Sequence, residues 1–220
     1  MQLVLTSELL LQAYAMGLFP MAYSAGSPFI HWVCPEMRGQ LSIPDMHIPR
    51  SLKKAVRQSL KKPSIEIKID TAFEDVILGC AEVKDDRPET WINDQILDAF
   101  INLHEEGHAH SVEYWEDGEL MGGLYGLRLG SVFCGESMFS RTANASKIAL
   151  VHLAARLWKG GFQVLDTQFI NDHLEQFGIY EVPHKEYLSI IKSVKDIKAD
   201  FYLEGFSEKK ILDEYFAMRG

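Results

Sequence analysis

The spacing of apolar residues along the chain predicts both helices and strands. In six segments apolar residues recur every three or four positions, as they do on the buried face of a helix. These helical segments are residues 6–16, 70–80, 93–106, 145–159, 185–194 and a last one after Ser207. Other segments alternate between apolar and polar residues or form short apolar runs, which is typical of strands. These strand segments are residues 64–69, 110–115, 120–129, 131–138 and 162–169.

The order of these elements predicts the fold class. From residue 64 onward the order is strand, helix, helix, three strands, helix, strand, helix, with hairpin turns at Asp117-Gly118 and Leu129-Gly130. The GNAT acyltransferase fold has the same order. We therefore predict an α+β protein with a GNAT-like mixed central sheet flanked by helices.

The first part of the chain has a different composition. Residues 21–49 are rich in Pro, Gly, Trp and Met and contain only short strand-like pieces, FIHWV and GQLSI. We therefore expect a small irregular N-terminal domain at residues 1–49 and a GNAT-like domain at residues 50–220. In the GNAT fold, the strand before the central helix splays from its neighbour, and the N-terminus of that helix faces the donor's phosphate groups. Helix N-termini suit anions because their first amides are unpaired and the helix dipole is positive there.

The composition of the chain indicates the cellular compartment in which we expect the protein. The chain has 220 residues, of which 47% are hydrophobic and 24% charged, as in ordinary globular proteins. Cys34, Cys80 and Cys134 are odd in number and show no CxxC spacing, which argues against a disulfide framework and for a reducing compartment. The N-terminus lacks the basic region of a signal peptide, and no run is apolar enough to span a bilayer. We expect a cytoplasmic protein with no membrane partner.

Charge is distributed unevenly. The net charge of −9 argues against a nucleic-acid partner for the surface as a whole. The segment RSLKKAVRQSLKK, residues 50–62, nevertheless contains six basic residues and no acid. In a helix, five of its cations would share one face: Arg50, Lys53, Lys54, Arg57 and Lys61. Two interpretations stay open, a phosphate-binding stripe and an ordinary solvated helix face.

One carboxylate and one guanidinium stand where a core strand turns into a core helix. In GSVFCGESMFSRTANASKIAL, residues 130–150, Glu136 follows the strand and Arg141 precedes the helix. The two could pair with each other at a seam. Alternatively, Arg141 and the amides of residues 144–147 could hold a phosphate, while Glu136 faces the reacting centre or the second substrate.

Several long motifs resemble the leucyl/phenylalanyl-tRNA–protein transferase family. The pair GESMFSR (135–141) and NASK (144–147) is the most specific of them. The other matching stretches are AYAMGLFPM (13–21), IHWVCPEMRG (30–39), HIPRSL (47–52), TWI (90–92), LHEEGHAHSVEYW (103–115), GGLYG (122–126), NASKIAL (144–150) and LDTQFINDHLEQFG (165–178). The resemblance covers most of the chain from about residue 13 to 190. It departs at Val33, where the family has a second Trp.

The resemblance implies a reaction and its partners. Such enzymes transfer Leu, Phe or Met from aminoacyl-tRNA to the N-terminal α-amine of proteins that begin with Arg or Lys, which marks those proteins for N-degron degradation. The resemblance implies binding to the 3′ end and acceptor stem of the tRNA, a monomer, and no cofactor because the ester is already activated. Two alternatives are an acyl-CoA-dependent N-acyltransferase of the GNAT type, although SRTANAS lacks its glycines, and a non-catalytic RNA-binding module.

The polar candidates lie in two places. The resemblance implies catalytic roles for Asp166 and Gln168, which are two apart on a predicted strand and so expected on one face. Gln is a poor base, so we expect Gln168 to align the amine by hydrogen bonding. The residues alone, without the resemblance, favour another interpretation, in which the pair ends the strand and caps the helix near residue 171. Glu136, with Asn171 beside it, is the expected contact for a cationic acceptor.

The remaining candidates form a donor pocket and a tRNA surface. We expect an apolar pocket for the donor side chain, built from Leu124, Met138, Leu150, Leu153, Leu157 and Leu165. We expect tRNA contacts from Trp32 and Trp91, by stacking on the terminal adenine, and from Arg50, Lys53, Lys54, Arg57, Lys61 and Arg141. We expect no metal site, because a helix-to-strand change would scatter His104, His108 and His110.

Overall fold

A computed structural model describes residues 4–83, 89–170 and 172–219, and over these residues the chain forms eight helices and nine strands. The helices are α1 (Ser7–Ala15), α2 (Arg50–Ser59), α3 (Phe73–Ala81), α4 (Asp94–Glu105), α5 (Ala145–Lys159), α6 (Asp172–Glu175), α7 (His184–Val194) and α8 (Glu208–Met218). The strands are β1 (Phe19–Ala22), β2 (Ile30–Val33), β3 (Met37–Leu41), β4 (Ile65–Ile69), β5 (Ala109–Glu116), β6 (Glu119–Leu129), β7 (Val132–Ser140), β8 (Val164–Gln168) and β9 (Tyr180–Pro183).

Seven strands form one mixed sheet in the order β4-β5-β6-β7-β8-β3-β9, while β1 and β2 form a separate antiparallel pair. In the large sheet, β7 and β8 pair in parallel and the other neighbours are antiparallel. Asp117 and Gly118 both have positive φ, as a tight hairpin turn between β5 and β6 requires. The predicted α+β class, a mixed sheet flanked by helices, is confirmed. The closer likeness to the GNAT fold stays a prediction.

Helices cover both faces of the large sheet. One apolar core takes side chains from α2, α5 and α8, and the other takes them from α1, α3, α4 and α7. Helix α5 is central because its residues from Ile148 to Leu157 are all buried. Its N-terminus approaches β6 closely: a Cβ atom at Gly122 would lie 2.5 Å from Cβ of Ala145. A larger residue at 122 would push the helix away from the sheet.

The C-terminal helix α8 is fixed to α5 and to the segment before α2. Glu208 accepts a hydrogen bond from His152 Nδ1 at 3.0 Å and pairs with Arg156. The Tyr215 hydroxyl donates to the Ile43 carbonyl at 2.6 Å. Ser207 caps the helix by accepting a hydrogen bond from the Lys210 amide. Helix α8 therefore completes the core behind α5.

Three local features differ from the sequence-based expectation. Strands β1 and β9 are only four residues long and were not predicted. Strand β3, from the part expected to be a separate N-terminal domain, is hydrogen-bonded between β8 and β9 in the large sheet. The division at residue 49 stays a prediction. Helix α3 begins without a side-chain cap, although Asp70 and Thr71 directly precede its N-cap residue, Ala72.

The start of α3 is held from a neighbouring strand instead. The Glu113 carboxylate, buried on β5, accepts from the amides of Thr71 at 2.7 Å and Ala72 at 2.8 Å. A local sequence pattern cannot reveal a partner that is some forty residues away along the chain. Over the described residues, no helix has both the length and the apolar character needed to cross a bilayer.

Candidate active site

The candidate site lies where strands β7 and β8 separate. The two strands pair from Val132 with Val164 to Cys134 with Asp166, and β7 then continues to Ser140 without β8 beside it. A cavity of about 710 Å³ opens at this splay. Its volume lies within the range of small-molecule binding sites. The predicted splay before the central helix is therefore present.

Most of the cavity wall is apolar. Five of the six residues predicted for the donor pocket line it: Leu124, Met138, Leu150, Leu153 and Leu165. Leu157, the sixth, is fully buried in the core around α5 and does not line the cavity. It lies one helical turn beyond Leu153, too far along α5 to reach the splay. That part of the prediction is corrected.

Other lining residues were not predicted from the sequence. They are Phe19, Met21, Tyr125, Gly135, Ser137, Thr167, Phe169, His173 and Leu174. Phe19 and Met21 come from β1, whose alternation is too short to recognise and whose position depends on distant contacts. Leu174 and His173 come from the short helix α6. The sequence around each residue offers no signal that the side chain faces a cavity rather than a core.

Asp166 is sealed in the core and does not line the cavity. Both of its oxygens accept from Arg38: Nε lies 2.9 Å from Oδ1, and Nη2 lies 2.6 Å from Oδ2. The Tyr187 hydroxyl also donates to Oδ2, at 2.8 Å. Both members of the ion pair have no exposed surface. A buried carboxylate that accepts from this many donors is held in one position.

Arg38 joins four parts of the chain around this carboxylate. Its Nη1 donates to the Gly17 carbonyl at 2.9 Å, and its guanidinium lies against the rings of Phe19 and Tyr187. Burial alone would lower the pKa of Arg38, but Asp166 outweighs it and raises that pKa. The end of α1, β3, β8 and α7 therefore meet at one charged pair.

Gln168 ends β8 with a left-handed backbone, and this turns its side chain into the cavity. Its φ is 59°, and its amide donates to Asp166 Oδ1 at 3.0 Å. The expectation that Asp166 and Gln168 project on one face is corrected, because a positive φ breaks the strand alternation. Gln168 lines the cavity while Asp166 lies behind it. Asp166 holds the backbone from which Gln168 reaches the site.

Glu136 is the acidic group of the cavity wall. Its Oε1 accepts from the Tyr14 hydroxyl at 2.7 Å and from Gln168 Nε2 at 2.9 Å. Burial raises the pKa of Glu136 to about 8, and hydrogen bonding from Tyr14 only partly offsets this. The carboxyl group therefore titrates near neutral pH.

Arg141 does not pair with Glu136, so that interpretation of the two residues is wrong. Its guanidinium pairs with Glu82 and donates to the Leu120 carbonyl at 3.1 Å. The expected phosphate site at the start of α5 is also partly occupied, because the Ser146 amide donates to Ser140 Oγ at 2.9 Å. Arg141 lies outside the cavity lining, with its side chain 40% exposed.

The two tryptophans predicted to meet the tRNA end lie in different places. Trp91 is half-buried and lines the cavity. Trp32 lies in β2 opposite Pro20 and does not line the cavity. Asn171, expected beside Glu136, lies outside the described residues.

The basic segment forms helix α2, with its cations on one side. Leu52 and Val56 are buried beneath the helix. The predicted basic residues surround one shallow surface hollow together with Gln58: Arg50, Lys53, Lys54, Arg57 and Lys61. Lys53 and Arg57 lie over the Phe216 ring of α8, at 5.0 and 5.3 Å from its centroid. The helix therefore presents a continuous basic surface away from the core.

Comparison with known proteins gives one consistent family. A family model described as leucyl/phenylalanyl-tRNA protein transferase matches residues 40–192, and a model of the N-terminal domain of the same proteins matches residues 4–36. A solved structure of a conserved protein of unknown function from Bacteroides thetaiotaomicron has a TM-score of 0.41 and 10% identity over 79% of this chain and 62% of that one. A score this low does not bear on fold or function.

Two curated relatives are much closer to this chain, and both are called leucyl/phenylalanyl-tRNA–protein transferase. The one from Paramagnetospirillum magneticum is 55% identical over 83% of this chain and 86% of its own. The one from Nitrobacter winogradskyi is 51% identical over 90% of this chain and 86% of its own. The chain belongs to the leucyl/phenylalanyl-tRNA–protein transferase family.

Proposed function

We propose that the protein uses this cavity to transfer Leu, Phe or Met from aminoacyl-tRNA to the N-terminal α-amine of proteins that begin with Arg or Lys. The protein is then an aminoacyltransferase, and its product is a peptide bond that marks the acceptor for N-degron degradation. One observation carries the proposal: the apolar cavity at the splay has Gln168 and Glu136 at its polar end. The family to which the chain belongs supports it.

The apolar wall suits the side chain of the donor residue. Leucine and methionine side chains of β6, β7, β8 and α5 surround a space that matches the apolar side chain of Leu, Phe or Met. An apolar pocket distinguishes one methylene by only about 1–3 kcal/mol. We therefore expect overlapping use of several apolar donors rather than one.

The polar end suits the acceptor. An N-terminal α-amine has an ordinary pKa of about 7.7–8.0, so part of it is neutral at cellular pH. Glu136 contacts the cationic acceptor terminus, and Gln168 aligns the amine by hydrogen bonding. Asn171 is an expected further contact. Asp166 acts through Gln168, whose backbone amide donates to it, and not on the substrate itself. Alignment alone supplies several kcal/mol of the barrier in reactions of this kind.

The tRNA approaches from the side of α2. Four cations of this helix, together with Lys61 just beyond its end, offer a phosphate-binding surface on a chain whose net charge is −9. Trp91 is proposed to stack on the terminal adenine, and Trp32 and Arg141 are proposed contacts further out. The ester is already activated, so the reaction requires no cofactor or metal in principle. We propose a cytoplasmic monomer.

A transfer assay tests the proposal. Purified protein is incubated with radiolabelled Leu-tRNA or Phe-tRNA and a peptide that begins with Arg or Lys. We expect label in the peptide. The same peptide with an acetylated N-terminus should take none, because its amine is blocked.

A second arm separates the acyl-CoA alternative. Acetyl-CoA replaces the charged tRNA in the same mixture, and thermal stability is measured with each donor. Acetylation of the peptide, or stabilisation by acetyl-CoA without any by aminoacyl-tRNA, would contradict the proposed donor.

A further inference from the structure

Two carboxylates lie at the splay between β7 and β8, and they differ in what they can reach. Asp166 accepts from Arg38, Tyr187 and the Gln168 amide and has no exposed surface. Glu136 faces the cavity, where it is the one carboxylate among the described lining residues. A group that exchanges a proton with a substrate must lie within hydrogen-bond reach of it. Of the two, Glu136 meets that condition.

The hydrogen bonds to Glu136 orient its carboxylate group but place no positive charge against it. Tyr14 and Gln168 are uncharged donors, and both hydrogen bonds reach Oε1. No lysine, arginine or histidine among the described residues forms an ion pair with Glu136. A carboxylate that is oriented but not ion-paired keeps its basicity.

The groups around Glu136 come from five elements. Tyr14 of α1 and Tyr125 of β6 are buried phenols, and Cys134 of β7 is a buried thiol. The charged neighbours are Asp166, which raises the pKa of Glu136, and Arg38, which lowers it. Their effects on this pKa are opposite because their charges are opposite, and the two charged groups lie side by side in one ion pair. Among the described residues, the groups that interact with the Glu136 carboxyl group are Tyr14, Arg38, Tyr125, Cys134, Asp166 and Gln168.

We propose that Glu136 is the general base of the transfer, a step that rests on the proposed function. The ammonium group first loses one proton to solvent. The amine nitrogen then bonds to the ester carbonyl carbon, and its second proton passes to the Glu136 carboxylate. The bond from that carbon to the ribose oxygen breaks, and Glu136 returns the proton to this oxygen, which leaves as a hydroxyl. Glu136 ends ionised, as it began.

The protonation equilibrium of Glu136 suits this task. A general base works best when its pKa lies near the working pH, and enzymes reach this by burying a carboxyl group. Burial raises the pKa of Glu136 to about 8, close to that of an α-amine. At that pKa the carboxylate can both take the proton from the attacking nitrogen and return it to the leaving oxygen. A carboxylate with an ordinary pKa would accept the proton far less readily.

The test is the pH dependence of kcat/KM for the acceptor peptide in wild type and Glu136→Gln. In wild type, both the amine and Glu136 must lose a proton, and both have a pKa near 8, so log kcat/KM rises with a limiting slope of about two below about pH 7 and levels off above about pH 9. In Glu136→Gln only the amine titrates, and the slope falls to about one. The plateau falls by about 10²–10⁴-fold, the usual effect of losing a general base.

Two further variants sharpen the comparison. His173 also lines the cavity and is the matched control, so His173→Gln should keep the slope of two. Tyr14→Phe removes a hydrogen bond that lowers the pKa of Glu136, so its profile should move to higher pH with the slope unchanged. Near-ultraviolet circular dichroism checks that each variant is folded. Glu136→Gln should pass this check, because the new amide oxygen can still accept from Tyr14 and Gln168.

The outcomes separate the possible roles. Equal loss with Arg-initiated peptides and with peptides that begin with a neutral residue supports the base. The proposal is overturned if Glu136→Gln loses activity only with acceptors that begin with Arg or Lys and its pH profile keeps a slope near two. Glu136 would then bind the side chain of the acceptor residue. The proposal is also overturned if the slope of log kcat/KM against pH falls to one in His173→Gln and stays at two in Glu136→Gln. That result would make His173 the base. If wild type transfers nothing, the proposed function fails rather than this inference.

Discussion

The two charged regions of this protein, the end of β8 and helix α2, use their charges in opposite ways. Arg38 and Asp166 are fully buried, bond to each other and hold the chain that carries Gln168. The cations of α2 instead surround an open hollow, with apolar residues beneath them. Buried charges cost desolvation energy and fix one arrangement, whereas exposed charges remain available to a ligand.

This contrast predicts which properties each region controls. Changes at the end of β8 should alter folding stability and the rate of the chemical step. Changes on α2 should alter tRNA affinity and its salt dependence while leaving the fold intact. Each prediction below tests one side of the contrast, from the largest expected effect to the smallest.

The largest effect is expected from Arg38→Met. It leaves Asp166 buried without its cation, and losing one partner of a buried pair typically destabilises a protein by about 3–5 kcal/mol. Urea unfolding should show this loss, and transfer activity should fall with it. Tyr187→Phe, which removes one hydrogen bond to Asp166, is the milder companion and should lose about 1 kcal/mol. An unchanged free energy of unfolding in Arg38→Met would contradict the claim that the buried ion pair fixes the end of β8.

Gln168→Ala should affect the rate without affecting the fold. The variant loses one side-chain hydrogen bond, to Glu136, but keeps the backbone hydrogen bond to Asp166, so the free energy of unfolding in urea should fall by only about 1 kcal/mol. Loss of alignment should lower kcat by about 10²-fold, with KM for aminoacyl-tRNA nearly constant. A raised KM for the tRNA at unchanged kcat would show that Gln168 belongs with the binding surface instead.

Charge reversal on α2 should weaken tRNA binding. In Lys53→Glu/Lys54→Glu/Arg57→Glu, KM for aminoacyl-tRNA should rise, and the slope of log affinity against log salt should decrease by about two to three. The matched control reverses three exposed lysines elsewhere, Lys192, Lys198 and Lys209, with the same change in net charge. Equal effects in the two triple variants would mean that net charge, not the α2 surface, sets the affinity.

The smallest effect is expected from Phe216→Leu. The ring supports Lys53 and Arg57 from α8, and leucine keeps an apolar side chain there without the ring's electron density. We expect KM for aminoacyl-tRNA to rise by about two- to fivefold, with kcat unchanged. A fall in kcat with no change in KM would instead connect α8 to the cavity.

The elements with strong local patterns could be predicted from the sequence. Helix α5 and the strands β5 to β7 combine clear periodicity with turn residues, and their bounds agree with the structure within two residues. The basic face of α2 was also visible, because five cations at helical spacing occur with no acid between them. Five of the residues that line the cavity were predicted from the family motifs.

The rest depends on contacts between distant residues. Nothing near Arg38 in the sequence indicates that it pairs with Asp166, or that Tyr14 donates to Glu136. The left-handed backbone at Gln168 is also invisible locally, since glutamine has no preference for positive φ. These long-range contacts decide which polar residues reach the cavity, and they are where the prediction for Asp166 needed correction.

The central claim is tested most directly by peptide-bond formation at the cavity. Purified wild type and Gln168→Ala are given radiolabelled Leu-tRNA and a peptide that begins with Arg, and the label that enters the peptide is counted at early times. We predict rapid transfer by wild type, none to the acetylated peptide, and about 10²-fold slower transfer by the folded variant. Equal rates for the two proteins would contradict the account.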